Sequence, residues 1–312
     1  MNIEHFLKNP KDKTVIIICG STAVGKTAVA ISIAKHFQTE IISADSRQCF
    51  KELKIGVARP SEEELKEVPH HFIAAYSIKE NINAAFFEKF ALQKAEDLFK
   101  THDILIMVGG TGLYIKAFCE GLDTIPSIND TIRENIIKDY GLLGLAWLQE
   151  QIKIKDPAFY KVGEMQNPQR LMRALEVVES TGHSILSFRK SKKAERPFNI
   201  IKIGLELPKE ELHVNINSRV DKMMQDGLFE EVSLLKGYRD VSALQTVGYS
   251  EIFEHLDGKM SFATAIEEIK KNTRQYAKRQ MTWFKKDKEL NWVNAKQTGE
   301  IISVVRKLAE AK

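Results

Sequence analysis

The chain has 312 residues, 43% apolar and 28% charged, enough for one large or two modest domains with a substantial core. With 46 basic against 42 acidic residues the net charge is +4, so whole-chain charge singles out no partner. No apolar run approaches the roughly 18 residues of a membrane span, residues 1–13 lack the apolar segment of a leader, and Cys19, Cys49 and Cys119 are too isolated for a disulfide framework or zinc site.

In chain order, residues 14–19 form an apolar run that reads as a strand, followed by GSTAVGKT at 20–27 and an amphipathic helix over 28–37. A short strand follows at 40–43, then a helix over 83–99. A continuous apolar run at 104–108 ends at Gly109 and Gly110, as a buried parallel strand would. This alternation predicts an α/β fold, a parallel sheet with helices on both faces. Over 123–196 the strand signal disappears, and the segment reads as an all-helical insertion. One of its helices starts at Asn167 as N-cap with Pro168 at the first helical position, and stops at Gly182. A strand returns at 200–207. Helices follow at 212–224, 229–235, 250–256 and 261–286, with an edge strand at 290–293. The expected organisation is a core built from 1–122 and 197–312, interrupted by the helical domain 123–196.

The segment Gly20, Ser21, Thr22, Ala23, Val24, Gly25, Lys26, Thr27 has the pattern of a phosphate-binding loop. Its glycines let backbone N–H groups turn toward a polyphosphate. Lys26 supplies a point charge, the Thr27 hydroxyl suits Mg²⁺, and the helix N-terminus adds partial positive charge. Asp45 ends the second strand, at the same sheet edge. It is either a carboxylate accepting a proton or hydrogen bond from an acceptor substrate, or the centre of an Asx-turn. GGTGLY at 109–114 closes the third strand there and presents the Thr111 hydroxyl. The 104–108 run carries no acid of the kind that helps hold Mg²⁺ in ordinary ATPases and GTPases. His70 and His71 are not read as a metal pair, because adjacent strand residues face opposite ways. Arg170 and Arg173 either grip RNA phosphates or pair with Glu176 and Glu179. From 270 to 288, eight basic residues face one acid, Asp287. Lys270, Arg274 and Lys278 recur every four residues, and Trp283 and Phe284 add stacking surface, a combination that suits RNA.

Together these motifs resemble the tRNA dimethylallyltransferases (tRNA isopentenyltransferases) of bacterial type, from about residue 14 to 293. The resemblance rests on GSTAVGKT, DSRQ at 45–48, VPHHF at 68–72, GGTGLY, NPQRLMRALEV at 167–177, SRVDKMMQDGL at 218–228, VGYSE at 247–251 and TRQYAKRQMTWF at 273–284. It implies a P-loop kinase-like core and transfer of a dimethylallyl group from dimethylallyl diphosphate to N6 of the adenosine 3′ to the anticodon, with release of diphosphate. It further implies Asp45 as base, Thr111 and Arg133 lining the reaction channel, and Lys26, the loop amides, Arg133 and Mg²⁺ on Thr27 stabilising the departing charge. Matching tRNA-contacting positions are Asp45, Ser46, Arg47 and Gln48; Gln166, Asn167, Pro168, Gln169 and Arg170; Gln245; and Lys278, Arg279, Gln280, Trp283 and Lys285. Three positions depart from the family pattern: Ser250 replaces a lysine, Lys285 an arginine and Asn167 an aspartate. The eukaryotic zinc finger has no counterpart. A cytoplasmic monomer is expected. The competing readings are an isopentenyltransferase of free adenine nucleotides, a P-loop kinase of a small metabolite, and a non-catalytic RNA-binding protein that uses the loop as a ligand sensor.

Overall fold

The structure is a computed structural model, and it describes residues 13–126, 128–189 and 193–310. Apart from Lys13, the segment 1–13 read for a leader lies outside the described residues, as do 127 and 190–192 of the expected insertion. The chain divides into two compact units: Met1–Cys119 with Glu195–Lys312, and Glu120–Ala194.

The first unit alternates as its apolar pattern requires. Strand β1 (Thr14–Gly20) leads through the loop into α1 (Lys26–Phe37). Next come β2 (Ile41–Ser43), α2 (Glu62–Glu67), β3 (His70–His71), α3 (Ala84–Leu98), β4 (Ile104–Gly109) and α4 (Gly112–Glu120). The second unit contains α5 (Asp130–Lys155), α6 (Pro157–Val162) and α7 (Pro168–Thr181). The chain then re-enters the sheet at β5 (Asn199–Glu206). It continues through α8 (Lys209–Gln225), α9 (Leu228–Leu234), α10 (Tyr249–Leu256), α11 (Phe262–Phe284), β6 (Asn291–Asn294) and α12 (Thr298–Glu310).

The six strands are all parallel, in the order β3-β2-β4-β1-β5-β6. Alternate residues of β1 separate onto two cores. Val15, Ile17 and Cys19 join Leu105, Met107 and the α3 residues Phe87 and Ala91 on one face. Ile16 and Ile18 join Ile106, Ile203 and the helices α1 and α12 on the other. Each fully buried aliphatic side chain contributes about 1.5–3 kcal/mol, so the strongly apolar β1 secures the middle of the sheet. On β5, Lys202 is buried and pairs with Asp287 and Glu289, each at 2.8 Å, which fastens the chain just after α11 to the sheet.

The expected α/β core with helices on both faces is present, including the edge strand, found here at Asn291–Asn294. Sequence periodicity missed α2, which is held by a reciprocal Ser61–Glu64 capping box, while His70 and His71 do lie on a strand, the two-residue β3.

The second unit has its own core of Ile136, Leu148, Ile152, Phe159, Leu171 and Leu175. Within α5, Gly144 takes φ 74° and breaks the helical path. Helix α7 begins where Asn167 accepts the Arg170 N–H at 3.2 Å and ends at Gly182, φ 71°. Asparagine thus performs the capping that an aspartate would at this position.

Candidate active site

Parallel strands end together, so the C-terminal ends of β2, β4 and β1 lie side by side. Gly25, with φ 99°, is the residue just before α1 and turns the loop into it. Lys26 folds back and donates to the Ser21 carbonyl at 2.7 Å. Burial and the neighbouring Arg219 guanidinium lower its pKa to about 8, with Asp45 opposing them.

Next to the loop, β2 and β4 approach so closely that a Cβ on Gly109 would lie 2.1 Å from the Ala44 carbonyl. Two residues on, Thr111 Oγ1 accepts the Ser46 N–H at 3.0 Å and donates to Ser46 Oγ at 3.2 Å. Asp45 Oδ1 accepts the N–H groups of Arg47 at 2.9 Å and Gln48 at 3.2 Å. Asp45 therefore forms the Asx-turn through Oδ1 alone, and Oδ2 makes no hydrogen bond among the described residues. Gln48 donates to the carbonyls of Val57 at 3.2 Å and Ala58 at 3.0 Å, holding the segment opposite. That segment is gripped from behind by Glu231, which accepts the N–H groups of Lys54, Ile55 and Gly56 at 3.0, 2.8 and 3.1 Å, and the Tyr249 hydroxyl at 2.5 Å.

Lys26, Thr27, Ser43, Asp45 and Arg219 line one cavity of about 280 Å³. A smaller one of about 100 Å³ shares Thr22, Asp45, Arg219 and Tyr276 with it and has the apolar walls Val57, Val220, Met223, Val247 and Ile269. Val108 and Gly109 represent the acid-free β4 in the larger cavity. His70 also lines it: its Nδ1 bonds the Val68 carbonyl at 2.8 Å, and burial lowers its pKa. His71 instead pairs with Glu40 at 2.6 Å. No cluster of three or more His, Cys, Asp or Glu side chains that could hold a metal occurs among the described residues. Thr27 and Ser43 do offer hard oxygen atoms in the cavity, the donor type Mg²⁺ prefers when phosphate oxygens and water complete its shell.

Sequence reasoning passed over Arg219. It bonds Thr22 Oγ1 at 3.3 Å, and Asn215, one turn earlier on α8, donates to the Ala23 carbonyl at 3.3 Å. The available signal was their spacing, which puts two polar side chains on one side of a helix whose Ile216 and Val220 are buried.

The basic helix α11 is divided. Lys270 pairs with Asp221 at 2.8 Å, and Arg274 donates to Asn217 at 2.7 Å. The expected stripe Lys270–Arg274–Lys278 is therefore not a free cationic face, because its first two members are used in packing against α8. Lys278, Arg279 and Lys285 are exposed and form no ion pair among the described residues; the Arg279 guanidinium lies 5.8 Å from the Tyr276 ring centroid. Trp283 is partly exposed and packs on Gly112, whereas Gln280 turns inward. Ala243 and Leu244 are buried, and Gln245 follows them as an exposed residue. In the second unit, Arg170 pairs with Glu164 at 2.7 Å. Glu176, itself buried, takes both Arg173 at 3.2 Å and Arg133 at 3.7 Å.

The family model described as IPP transferase matches residues 48–287. The chain is 44% identical to a tRNA dimethylallyltransferase 1 of Bacteroides fragilis, covering 94% of this chain and 98% of the relative. It is 49% identical to a tRNA dimethylallyltransferase of Christiangramia forsetii, covering 89% and 92%. Among solved structures, a tRNA isopentenylpyrophosphate transferase of Bacillus halodurans superposes with a TM-score of 0.72 at 31% identity, covering 96% of this chain and 97% of that one. A eukaryotic dimethylallyltransferase acting on tRNA gives 0.74 at 25% identity, covering 91% and 74%.

Proposed function

The chain belongs to the IPP transferase family, and we propose that it transfers a dimethylallyl group from dimethylallyl diphosphate to N6 of the adenosine 3′ to the anticodon of tRNA. The observation that carries this reading is the shared cavity: the phosphate-loop lysine Lys26 and the carboxylate Asp45 line it, beside a strand with no acid. Such a site is suited to holding a diphosphate as a leaving group, and β4 supplies no acid of the kind that helps hold Mg²⁺ in ordinary ATPases and GTPases.

In the proposed reaction the N6 lone pair forms a bond to C1 of the dimethylallyl group. The C1–O bond breaks, and its electron pair leaves on the diphosphate. Asp45 accepts the N6 proton. Adenine N6 is a weak nucleophile because its lone pair is delocalised, and general-base help of this kind is worth about 10²–10⁴-fold. The two N–H groups on Oδ1 hold the carboxylate and leave Oδ2 for the acceptor's proton. Lys26, Arg219 and the loop N–H groups balance the charge growing on the diphosphate. Arg133 is assigned the same work. Thr27 would hold Mg²⁺, which when bound supplies further neutralisation of that charge. The apolar cavity beside Asp45 offers surface to the five-carbon chain. RNA contact is assigned to Asp45–Gln48, Gln166–Arg170, the 243–248 stretch and the exposed cations of α11.

Incubation with Mg²⁺, dimethylallyl diphosphate and an anticodon stem-loop tests the reading. The expected product is RNA heavier by one dimethylallyl unit. Modification of AMP in preference to the stem-loop, or phosphate transfer from ATP to a small metabolite, would overturn it.

A further inference from the structure

One side chain in the expected RNA-contacting segment of α11 faces the protein interior. Gln280 is 7% exposed, and both ends of its carboxamide are engaged. Its Oε1 accepts the Thr22 N–H at 2.8 Å, and its Nε2 donates to the Gly110 carbonyl at 2.9 Å. Thr22 belongs to the phosphate loop after β1, and Gly110 to the turn after β4. One side chain therefore spans two adjacent strand ends. The turn is shaped to receive it: a Cβ on Gly110 would lie 2.4 Å from Gln280 Nε2. Three residues further along the helix, Trp283 repeats the arrangement, and a Cβ on Gly112 would meet its indole at 2.2 Å.

The geometry points to Gln280 as a positioning residue, which sets the diphosphate cradle in register with the Asp45–Thr111 end of the site and does not contact RNA. This rests on the function proposed above. Displacement at carbon requires leaving group and acceptor to stay aligned, and misplacement by about 1 Å can cost on the order of 10² in rate. The loop reaches its acceptor-side neighbour through this carboxamide, and the turn it grips carries Thr111, whose hydroxyl holds Ser46 beside Asp45. A buried amide satisfied at both ends is a strut of fixed length; an apolar side chain of equal size would leave the Thr22 N–H and the Gly110 carbonyl unpaired.

Gln280→Met keeps the length and removes both bonds; Gln280→Glu keeps only the acceptor for the Thr22 N–H and serves as second variant. For each, four quantities are measured: melting temperature, stem-loop affinity without diphosphate, affinity for inorganic diphosphate with Mg²⁺, and kcat with saturating dimethylallyl diphosphate and stem-loop. In Gln280→Met, kcat should fall on the order of 10²-fold and diphosphate affinity should weaken. Stem-loop affinity should stay within about twofold, since exposed cations, and not this side chain, supply it. In Gln280→Glu, diphosphate should bind more weakly still, because a carboxylate joins the anion site. Loss of stem-loop affinity with unchanged diphosphate affinity and kcat would make Gln280 an RNA contact and overturn the assignment. So would a lowered melting temperature with uniform loss of all activities, or no change at all. If the unaltered protein neither binds nor modifies the stem-loop, the proposed function fails, while the diphosphate measurement still decides the role of Gln280.

Discussion

The Thr111 hydroxyl accepts the Ser46 N–H at 3.0 Å and donates to Ser46 Oγ at 3.2 Å, joining the turn after β4 to the residue that follows Asp45. Thr111→Val should release Ser46 and let the carboxylate drift. At about 0.5–1.5 kcal/mol per hydrogen bond, kcat should fall on the order of tenfold while stem-loop affinity is kept. Thr111→Ser should restore the rate. A serine variant as slow as the valine one would show that the hydroxyl alone does not account for the loss.

Asp45→Asn separates the two uses of the carboxylate. The amide oxygen can still accept the Arg47 and Gln48 N–H groups, so the turn should persist. Without the base, kcat should drop by about 10²–10⁴-fold. Stem-loop affinity, measured by titration at fixed salt, should be little changed. An equal collapse of binding and turnover would demote Asp45 from base to RNA contact.

Lys26 should impose an alkaline limit on diphosphate binding. Its ammonium is charged below its pKa of about 8 and neutral above it. Diphosphate affinity should therefore be full below that value and decline as pH rises through it. Calorimetric titration of inorganic diphosphate across this range checks the sign. In Lys26→Arg the decline should vanish, because guanidinium stays protonated. An unchanged inflection in the arginine variant would assign the titration to another group.

Lys278 is exposed on α11 and pairs with no acid among the described residues. Lys278→Ala should weaken stem-loop binding and reduce the slope of log affinity against log salt by about 1. Diphosphate affinity should stay the same. A loss that is independent of salt would point to packing in place of charge.

Where local chemistry decides the conformation, the sequence announced it. The loop at 20–27 lies between an apolar strand and a helix, and Asn167, Pro168 and Gly182 mark both ends of α7. Asp45 and Thr111 could be placed at one sheet edge because parallel strands end on one side. Contacts made across the chain were not legible. Arg219 reaches Thr22 from nearly two hundred residues away, and Gln280 reaches it from farther still. Helical spacing aligns Gln280 with Tyr276 and Phe284 on a stripe that can pack on the core, and Arg219 with Asn215 on one side of α8, but no local feature names the partners they reach. The stripe on α11 misled for the same reason: periodicity puts Lys270 and Arg274 on the face of Lys278, but α8 supplies their partners. Helix α5 was legible only as part of a helical insertion, without ends of its own, because Gly144 interrupts its spacing, and α2 was missed because its capping box encloses only six residues.

The strand order β2-β4-β1 has a metric consequence. Asp45 extends from β2 and the phosphate loop from β1, with β4 between them, so they stand two strand spacings apart, roughly 10 Å. The backbone ladder sets that distance first, and side chains such as Gln280 and Thr111 then hold the segments that extend from it. In the proposed reaction that span would hold one reacting carbon between its nucleophile and its leaving oxygen, so a change that splays β4 should slow turnover with every acceptor alike, without altering which acceptor is preferred.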